Sequence, residues 1–422
     1  MHGDFTLVSL GDIIQAHPVS EDSEARPLFD LVRMGDAAIA NQEGVFFDLS
    51  ATRVEAPGSP YILLGQAGMA RDLKAMGIDM VGVANNHASD WGIEGLRAMT
   101  GLLDAAGVVH AGDGATLAEA QGARFLDTPK GRVALVAAAS TYKQGAKAQD
   151  AIKGVPARAG ISGLRLREIE LVTPQSMAAL RHAYGKPGEG DLVVPVNTPF
   201  AQPIEKTYRV GARPGFTYDM NSVDRKAILA GIRDARAKAD LAVFTVHAHE
   251  NADGMDDAAP GAPADFLVTL FHQAVDAGAD VAMGTGPHSM RGIEIYKGKP
   301  IFYGLAVFLF AGNVVLTQEQ QTERYDSAEA SQADRRNPRD ASFRAPASWD
   351  DGFVATTRFQ DGVLKEVRLY PIEHGGQATP SRRETRLATP DRARRILATL
   401  RDLSAPFGTQ IAIDGAAGVI RP

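Results

Sequence analysis

The segment DMVGVANNHASDWG (79–92) begins as an apolar, strand-like run and ends in a cluster of polar residues. Asn85, Asn86 and His87 end the run, and Asp90 comes three residues after the histidine. Asparagine and aspartate are poor strand residues, and polar groups at the end of a buried strand need a turn or a metal ion to satisfy them. Asp90 is placed to cap the helix that follows, so we expect it to orient this loop.

Other apolar runs recur along the chain, with helical stretches between them. The predicted strands are FTLVSL (5–10), DMVGVAN (79–85), RVALVAAAS (132–140), LAVFTVH (241–247), DVAMGTG (280–286) and IFYGLAVFLF (301–310). The predicted helices are MARDLKAMGI (69–78), IEGLRAMTGLLDAAG (93–107) and APADFLVTLFHQAVDAG (262–278), each with a closing glycine. This alternation predicts an α/β fold with a layered core.

Residues that can bind metals or move protons fall at the ends of these strands. They are Asp12, Glu43, Asn85, Asn86, His87, His247, His249 and His288. The carboxyl ends of strands in an α/β sheet meet at one edge, so residues distant in sequence can converge there. Carboxylate, amide and imidazole groups suit Mn²⁺, Fe, Zn²⁺, Mg²⁺ or Ca²⁺. The sequence therefore predicts a metal site at this edge.

Each of these residues also has an ordinary structural interpretation. Asp12 could form a turn or cap a helix, Glu43 could be a surface carboxylate, and the two asparagines could form a turn. His247 and His249 could be one buried and one exposed histidine at a strand end. The shared position on strand ends favours a common site over these separate interpretations.

Composition excludes several classes of protein. The 422 residues include 44 basic and 51 acidic side chains, a net charge of 44 − 51 = −7, without a long basic run, so we expect no nucleic-acid partner. The absence of cysteine excludes disulfides and thiolate ligands. We expect no membrane span and a soluble, cytoplasmic chain as given; the alternative is a periplasmic or extracellular protein whose leader was removed.

Two regions depart from the α/β rhythm. Residues 142–222 contain glycine-rich loops and a helical stretch, and we expect an insertion that acts as a lid within a catalytic domain of residues 1–316. Residues 317–350 are polar and charged, which predicts a mobile excursion. Residues 351–422 are expected to form a C-terminal subdomain, with a hairpin around Gln360-Asp361-Gly362 and a helix near 390–403.

The chain resembles the CapA family of capsule or poly-γ-glutamate biosynthesis proteins, which have a calcineurin-like metallophosphatase fold. The matching stretches are SLGD (9–12), ANQEG (40–44), GIDMVGVANNHASDWGIEGLRAMTGLLDAAGVVHAGDG (77–114), VFTVHAHEN (243–251), GADVAMGTGPHSMRGIEIYKGKPIFYGLAVFLF (278–310) and the C-terminal hairpin. The resemblance implies a four-layer α-β-β-α sandwich with an inserted lid region and a small C-terminal subdomain. It also implies one or two divalent metals at the strand ends.

The resemblance further implies a role for each site residue. Asp12 and His288 would hold one metal, Glu43 would bridge two, and Asn86 and His247 would hold the second. His87 would be the acid or hydrogen-bond donor beside the substrate.

Asn85 and Glu250 complete the predicted catalytic residues. Glu250 lies in the stretch that corresponds to the family's H-W-G-x-E pattern, which reads His247-Ala248-His249-Glu250 here.

The chain departs from the family pattern at several of these positions. The family's G-x-H-P-H reads Gly284-Thr285-Gly286-Pro287-His288, so a histidine ligand is replaced by Gly286. The family's Y-S-L-G-N-F reads Tyr303-Gly304-Leu305-Ala306-Val307-Phe308. Because strand side chains alternate with period two, His249 can approach the same centre as His247 and is the candidate replacement for the missing ligand; the alternative is a substrate-binding or exposed histidine.

We expect a metal-dependent hydrolase that directs water at an amide, ester or phosphoester. The substrate would be a small organic molecule or, as the family name implies, a polyanionic polymer of the polyglutamate type. A basic patch that could meet such a polymer comprises Lys143, Lys147, Lys153, Arg158, Arg165 and Arg167; the alternative is that these side chains form a solvated face. Two alternatives remain at this stage: a lyase or transferase with a modified metal centre, and a non-catalytic binding or assembly protein for polymer export. The sequence does not indicate the oligomeric state.

Overall fold

The protein is described by a computed structural model that covers residues 3–54, 62–196, 204–254, 260–311, 347–375 and 385–422. Most of the predicted excursion of residues 317–350 lies outside this described part. Its last residues, Ala347–Asp350, form a short 3-10 helix. No helix among the described residues is long and apolar enough to cross a membrane.

Strands and helices alternate over the first half of the chain, as predicted. The strands of the described residues are β1 (Asp4–Gln15), β2 (Ala37–Gln42), β3 (Val45–Phe46), β4 (Leu64–Gly65), β5 (Met80–Gly82), β6 (Val109–Ala111), β7 (Asp113–Gly114), β8 (Arg124–Thr128), β9 (Gly131–Ala139), β10 (Gly160–Ile161), β11 (Leu166–Val172), β12 (Leu192–Val196), β13 (Ile204–Val210), β14 (Gly215–Met220), β15 (Leu241–His247), β16 (Val281–Thr285), β17 (Ile293–Tyr296), β18 (Lys299–Phe302), β19 (Val307–Ala311), β20 (Asp351–Gln360), β21 (Val363–His374), β22 (Thr385–Leu387), β23 (Ala412–Asp414) and β24 (Ala417–Ile420). The helices are α1 (Arg26–Arg33), α2 (Met69–Met76), α3 (Gly92–Ala106), α4 (Leu117–Ala120), α5 (Pro174–Ala183), α6 (Ser222–Lys238), α7 (Asp265–Ala277) and α8 (Pro390–Ser404), with a second 3-10 helix at Ala405–Phe407.

Two large sheets form the centre of the fold. The first has the order β23-β24-β21-β20-β1-β2-β5-β6, and β19 also pairs with β1. The second has the order β17-β18-β16-β15-β9-β8. Apolar side chains from both sheets share one buried cluster, which includes Phe5 and Leu7 of β1 and Leu135 of β9. The two sheets therefore pack face to face.

Helices cover the outer face of each sheet. The outer side chains of the first sheet, such as Val8 of β1, pack with α1, α2 and α3. The outer side chains of the second sheet, such as Phe244 of β15, pack with α6 and α7. Because each sheet is buried on both faces, its strands are nearly continuous apolar runs. The architecture is a four-layer α-β-β-α sandwich, which confirms the expected fold class.

Residues 142–222 contain more regular structure than the sequence indicated. In addition to α5, they form a four-stranded sheet in the order β12-β13-β11-β14. Side chains of Val172, Met177 and Leu192 make its small core. The strands were missed because their residues alternate between charged and apolar, as in half-exposed strands, among glycine-rich loops. The lid role of this region stays a prediction.

The run IFYGLAVFLF (301–310) is not one strand, which corrects the prediction. It divides into β18 and β19, and these strands belong to different sheets. The break is at Ala306, whose φ of +59° is left-handed and therefore unusual for a residue with a Cβ atom. Ala306 also lies against Gly11 of β1, where the backbone N–H of Asp12 donates to the Ala306 carbonyl at 3.0 Å.

The C-terminal hairpin forms at the predicted turn. Asp361 and Gly362 have φ values of +51° and +78° and connect β20 to β21. Strand β20 pairs along β1, with Asp4 opposite Gln360 and Ser9 opposite Ala355. The hairpin is therefore part of the central sheet, and α8 packs on it.

Candidate metal centre

The ends of three strands and a point inside a fourth bring the predicted ligands together. Glu43 directly follows β2, His247 is the last residue of β15, and His288 follows β16. Asp12 was predicted at the end of the first strand, but it lies inside β1, where the register with β2 and β19 shifts. Such an irregularity re-aims a side chain within a strand, and this one turns Asp12 toward the other residues.

Two overlapping sets of side chains could each hold a cation. One set is Asp12, Glu43 and His247, and the other is Glu43, His249 and His288. Within each set the candidate ligand atoms lie within 4.8 Å of one another, and all five residues are buried. Glu43 belongs to both sets, whereas Asp12 and His288, which the resemblance assigned to one metal, fall in different sets. The bridging role of Glu43 stays a prediction.

Hydrogen bonds orient both oxygens of Asp12. Oδ1 accepts from Asn41 Nδ2 at 2.7 Å, and Oδ2 accepts from the backbone N–H of Gly286 at 2.9 Å. His247 Nδ1 lies 3.7 Å from Oδ1, and His288 Nδ1 lies 3.5 Å from Oδ2. Burial raises the pKa of Asp12, but the hydrogen bonds and charges of His247 and His288 outweigh it, so the pKa falls below its usual range. Asp12 is therefore a carboxylate.

His247 and His249 face each other across a short gap. Their Nε2 atoms are 3.0 Å apart, and the backbone N–H of His249 donates to Thr141 Oγ1 at 3.0 Å. Burial lowers the pKa of His247 to about 4, against a partial opposing effect of Asp12. The ring is thus neutral at neutral pH, which is the form that binds metals.

The side chain of His288 lies between the two carboxylates. Its Nε2 atom is 3.7 Å from Glu43 Oε1, and its ring centroid is 5.3 Å from that of His249. The backbone of His288 has a φ of +52°, in the left-handed region that residues with a Cβ atom rarely occupy. Strained conformations of this kind concentrate at functional sites.

His87 is held beside this cluster by Asp90. Its Nδ1 atom is 2.8 Å from Asp90 Oδ2, and its Nε2 atom is 3.9 Å from Glu43 Oε1. Asp90 also accepts from the backbone N–H of Leu63 and forms an ion pair with Lys143. Asp90 thus orients the loop, as predicted, but it does not cap α3: the N-cap residue is Trp91, and no side chain makes a capping hydrogen bond there. Nε2 is the ring atom that faces the candidate ligands.

The two asparagines have different surroundings. Asn85 accepts from the backbone N–H of His87 at 3.0 Å and donates to the Gln42 carbonyl at 2.7 Å, so both polar groups shape the loop. Asn86 Oδ1 is buried and has no hydrogen-bond partner among the described residues. A buried oxygen of this kind normally has a partner, and a cation would supply one.

Glu250 lies next to the cluster without belonging to either set. Its Oε2 atom accepts from Ser140 Oγ at 2.7 Å and from Thr141 Oγ1 at 3.1 Å. Since Thr141 also accepts from the backbone of His249, Glu250 acts on that histidine through the threonine. Its placement is that of a supporting residue.

The backbone conformation and close packing at Gly286 disfavour any residue with a Cβ atom. Its φ is +109°, and a Cβ atom there would lie 3.0 Å from the backbone nitrogen of Ala248. A histidine at this position would therefore need a different local backbone from the one seen here.

The proposed basic patch is largely engaged in ion pairs. Lys147 and Arg165 both contact buried Asp224, and Arg167 contacts Asp219. Lys143 contacts Asp90 at the site itself. The contacts with Asp90 and Asp224 attach the insertion to the core, whereas the Arg167–Asp219 pair lies within the insertion. Four of the six side chains of the patch are therefore ion-paired rather than presented as a free cationic surface.

Sequence reasoning missed three contributors to the site. Asn41 links Asp12 to His247, with Nδ2 lying 3.1 Å from His247 Nδ1. Trp349 packs against His288, with ring centroids 4.2 Å apart. Ser140, which ends a strand as the other site residues do, is hydrogen-bonded to Glu250. Asn41 lies in the matched ANQEG stretch and could have been found, whereas no local pattern points to Trp349.

The comparisons with known proteins agree with the CapA resemblance. A protein of Sinorhizobium fredii named uncharacterized protein y4sH is 35% identical over 443 residues, covering 99% of this chain and 93% of that protein. The PGA biosynthesis protein CapA of Bacillus subtilis is 24% identical over 253 residues, covering 60% of this chain and 48% of that protein.

A crystal structure described as a novel phosphatase of Mycoplasma pneumoniae has a TM-score of 0.42 and 12% identity, covering 88% of this chain and 95% of that chain. The family pattern described as bacterial capsule synthesis protein PGA_cap matches residues 1–312, which include all the candidate ligands. The chain therefore belongs to the PGA_cap family of bacterial capsule synthesis proteins.

Proposed function

We propose that the chain is a metal-dependent hydrolase that directs water at an amide, ester or phosphoester. The observation that carries this proposal is the convergence of two buried carboxylates and three imidazoles. Asp12 is 0% exposed and Glu43 is 2% exposed, which places two acids in one dry site. Burying two negative charges together is unfavourable unless a positive charge is bound between them.

The donor atoms fit a divalent transition metal. Imidazole nitrogen with carboxylate oxygen suits Mn²⁺, Fe²⁺ or Zn²⁺ better than Mg²⁺ or Ca²⁺, which prefer all-oxygen sites. Asp12, Glu43, His247, His249 and His288 would hold the metal. Asn86 would add its buried Oδ1 atom, which has no hydrogen-bond partner among the described residues. When bound, the metal lowers the pKa of a water molecule and polarises the substrate oxygen.

The surrounding residues have separate tasks in this proposal. In this proposal the Nδ1–H of His87 donates to Asp90 Oδ2 at 2.8 Å, so Nε2 is the atom that exchanges a proton with the reacting groups. Asn41 and the backbone N–H of Gly286 fix the orientation of Asp12. Lys143 is ion-paired with Asp90 and so helps to hold the carboxylate that orients His87.

For the substrate we propose only a chemical class. Two relatives carry names that refer to capsule or PGA biosynthesis, which supports a polyglutamate-type polymer or a piece of one. Fold and family alone do not transfer a substrate, so the assay must include several bond types.

The test is metal analysis and turnover on the purified protein. Metal content is measured for the wild type, Asp12→Asn and Glu43→Gln, and hydrolysis is measured on aryl phosphate, aryl ester and γ-glutamyl anilide probes. Glu294→Gln is the matched control, because Glu294 contacts His272 at 2.9 Å outside the cluster. We expect metal in the wild type and the control, and loss of metal and turnover in the two site variants.

The other outcomes separate the alternatives. A wild type without bound metal after incubation with Mn²⁺, Fe²⁺ or Zn²⁺ would refute the proposal. Bound metal without hydrolysis of any probe would favour the binding or assembly role. Bound metal with elimination or transfer products would favour the lyase or transferase.

A further inference from the structure

We infer that Trp349 is a positioning residue that holds the His288 ring in its metal-binding orientation. This inference rests on the proposed metal site. Trp349 lies outside the part of the chain that matches the family, which ends at residue 312. The site would therefore be completed by the C-terminal part of the chain.

The contact itself is close and specific. The ring centroids of Trp349 and His288 are 4.2 Å apart, with an angle of 60° between the ring planes. Trp349 is supported from behind by Phe310, whose ring centroid is 6.4 Å away. Ile14, Leu63 and Phe310 form a small buried apolar cluster against which Trp349 packs. The indole is thus fixed at one end by the core and meets the histidine at the other.

The backbone of His288 needs external support. It adopts a left-handed φ of +52°, a conformation that persists only where the surroundings impose it. The ring also lies between two carboxylates, with its nitrogens 3.5 Å from Asp12 and 3.7 Å from Glu43, so its orientation decides which of them it meets. Aromatic packing against the ring restricts its rotation and lowers the entropy lost when a metal binds.

The fluorescence of Trp349 can report metal binding directly. The chain has two tryptophans, and the other one, Trp91, is 1% exposed and donates to the Leu63 carbonyl at 3.2 Å. Trp349 is partly exposed and touches a candidate ligand. A paramagnetic cation at the site should therefore quench Trp349 fluorescence, and this signal should vanish in Trp349→Phe.

The experiment is a titration of the metal-free full chain with Co²⁺ alone, by equilibrium dialysis and tryptophan fluorescence. The variants are Trp349→Ala, Trp349→Leu and Trp349→Phe. The control is Tyr296→Ala, which removes a ring stacked 3.9 Å from His272, a histidine outside the candidate ligands. Circular dichroism and thermal unfolding of the metal-free proteins report the fold separately.

We expect Trp349→Ala and Trp349→Leu to bind Co²⁺ roughly tenfold more weakly, the size of effect typical when a residue supporting a metal ligand is lost. Trp349→Phe keeps a ring against His288 and should bind within about threefold of the wild type, without the quenching signal. Tyr296→Ala should bind as the wild type does. Leucine provides the test if the alanine variant does not fold.

Two results would overturn the inference while leaving the metal site intact: wild-type affinity in Trp349→Ala or Trp349→Leu, or a loss in Trp349→Phe as large as in those variants. A wild type that binds no Co²⁺ would refute the metal site and this inference together.

Discussion

Replacing Gly11 with alanine should destabilise the protein and displace Asp12. Gly11 lies in β1 where that strand passes the turn that ends at Ala306. A Cβ atom on Gly11 would lie 1.9 Å from the Ala306 carbonyl oxygen and 3.0 Å from that of Leu305. Because both neighbours are backbone atoms, no change of side-chain rotamer can relieve the clash. One of the two strands must move by more than an ångström to restore normal contact.

The cost follows from two contributions. Overpacking of a tight core usually costs about 1–3 kcal/mol, because the neighbouring backbone has to shift. The same shift would break the hydrogen bond from the Asp12 N–H to the Ala306 carbonyl, at 3.0 Å, which pairs β1 with the turn before β19. A lost hydrogen bond adds about 0.5–1.5 kcal/mol, so the expected destabilisation is roughly 2–4 kcal/mol.

The assay compares urea unfolding and metal content for Gly11→Ala and Gly101→Ala. Gly101 is an exposed residue within α3, and a Cβ atom there would meet nothing within 4 Å. Alanine should therefore stabilise that helix by about 0.5–1 kcal/mol. Gly11→Ala should unfold at lower urea and lose metal, because the orientation of Asp12 depends on its backbone. Similar midpoints and equal metal content in both variants would refute this reasoning.

Three further predictions concern single histidines and one glycine. His87→Ala should keep its metal and lose roughly 10²–10⁴-fold in turnover, the usual contribution of a general acid or base; parallel loss of metal would make His87 a ligand instead. His249→Ala should lower metal stoichiometry in dialysis, whereas an unchanged count would leave substrate contact as its role. Adding Gly286→His should not restore that stoichiometry, because its φ of +109° is unfavourable for histidine; full restoration would show that the backbone adapts. Burial lowers the pKa of His110, but the hydrogen bond and charge of Asp113 outweigh it and raise the pKa above 6.5. Protonated His110 therefore stabilises the fold fully below pH 6.5, and this contribution is lost as pH rises through the folded pKa. The difference in thermal stability between wild type and His110→Gln should shrink over that range, and a difference independent of pH would contradict the assignment.

Regular elements with strong local signals were predictable from the sequence. The run LAVFTVH (241–247) coincides with β15, and the helices that end at Gly77, Gly107 and Gly278 do so with left-handed glycines, as predicted. The ends of these elements are marked by local residues: turn residues bound the apolar strand, and a glycine ends each helix.

Features that depend on distant backbone contacts were not predictable. IFYGLAVFLF (301–310) is uniformly apolar, so nothing local shows that Ala306 turns the chain from one sheet to the other. The position of Asp12 inside β1 depends on register shifts against two neighbouring strands. Trp349 reaches His288 only through tertiary packing. In each case the cause is a partner far away in sequence.

The sequence identified the candidate ligands better than it identified the hydrogen bonds that hold them in place. Strand-end position pointed to Glu43, His247, His249 and His288, since chemistry in layered α/β folds collects there. Asp12 was also named, but from a strand end that the structure places three residues further on, at Gln15. The supporting contacts, such as Asn41 on Asp12 and Thr141 on His249, depend on side-chain geometry that sequence spacing does not specify.

The pairing of β1 with β20 has a consequence for how the chain reaches this structure. Asp4 pairs with Gln360 and Ser9 with Ala355, so the first half of β1 stays open on one side until almost the whole chain has been synthesised, whereas the half from Asp12 onward pairs with β19. At ~5–20 residues per second, translation leaves that edge uncovered for roughly 20–70 seconds. Pairing of strands so far apart in sequence is also slow, because the chain loses the entropy of a long loop before the stabilising contacts form. The nascent protein should therefore depend on chaperones that shield β1, and a fragment ending at residue 312 should aggregate rather than bind metal, which sedimentation and metal analysis of that fragment would check.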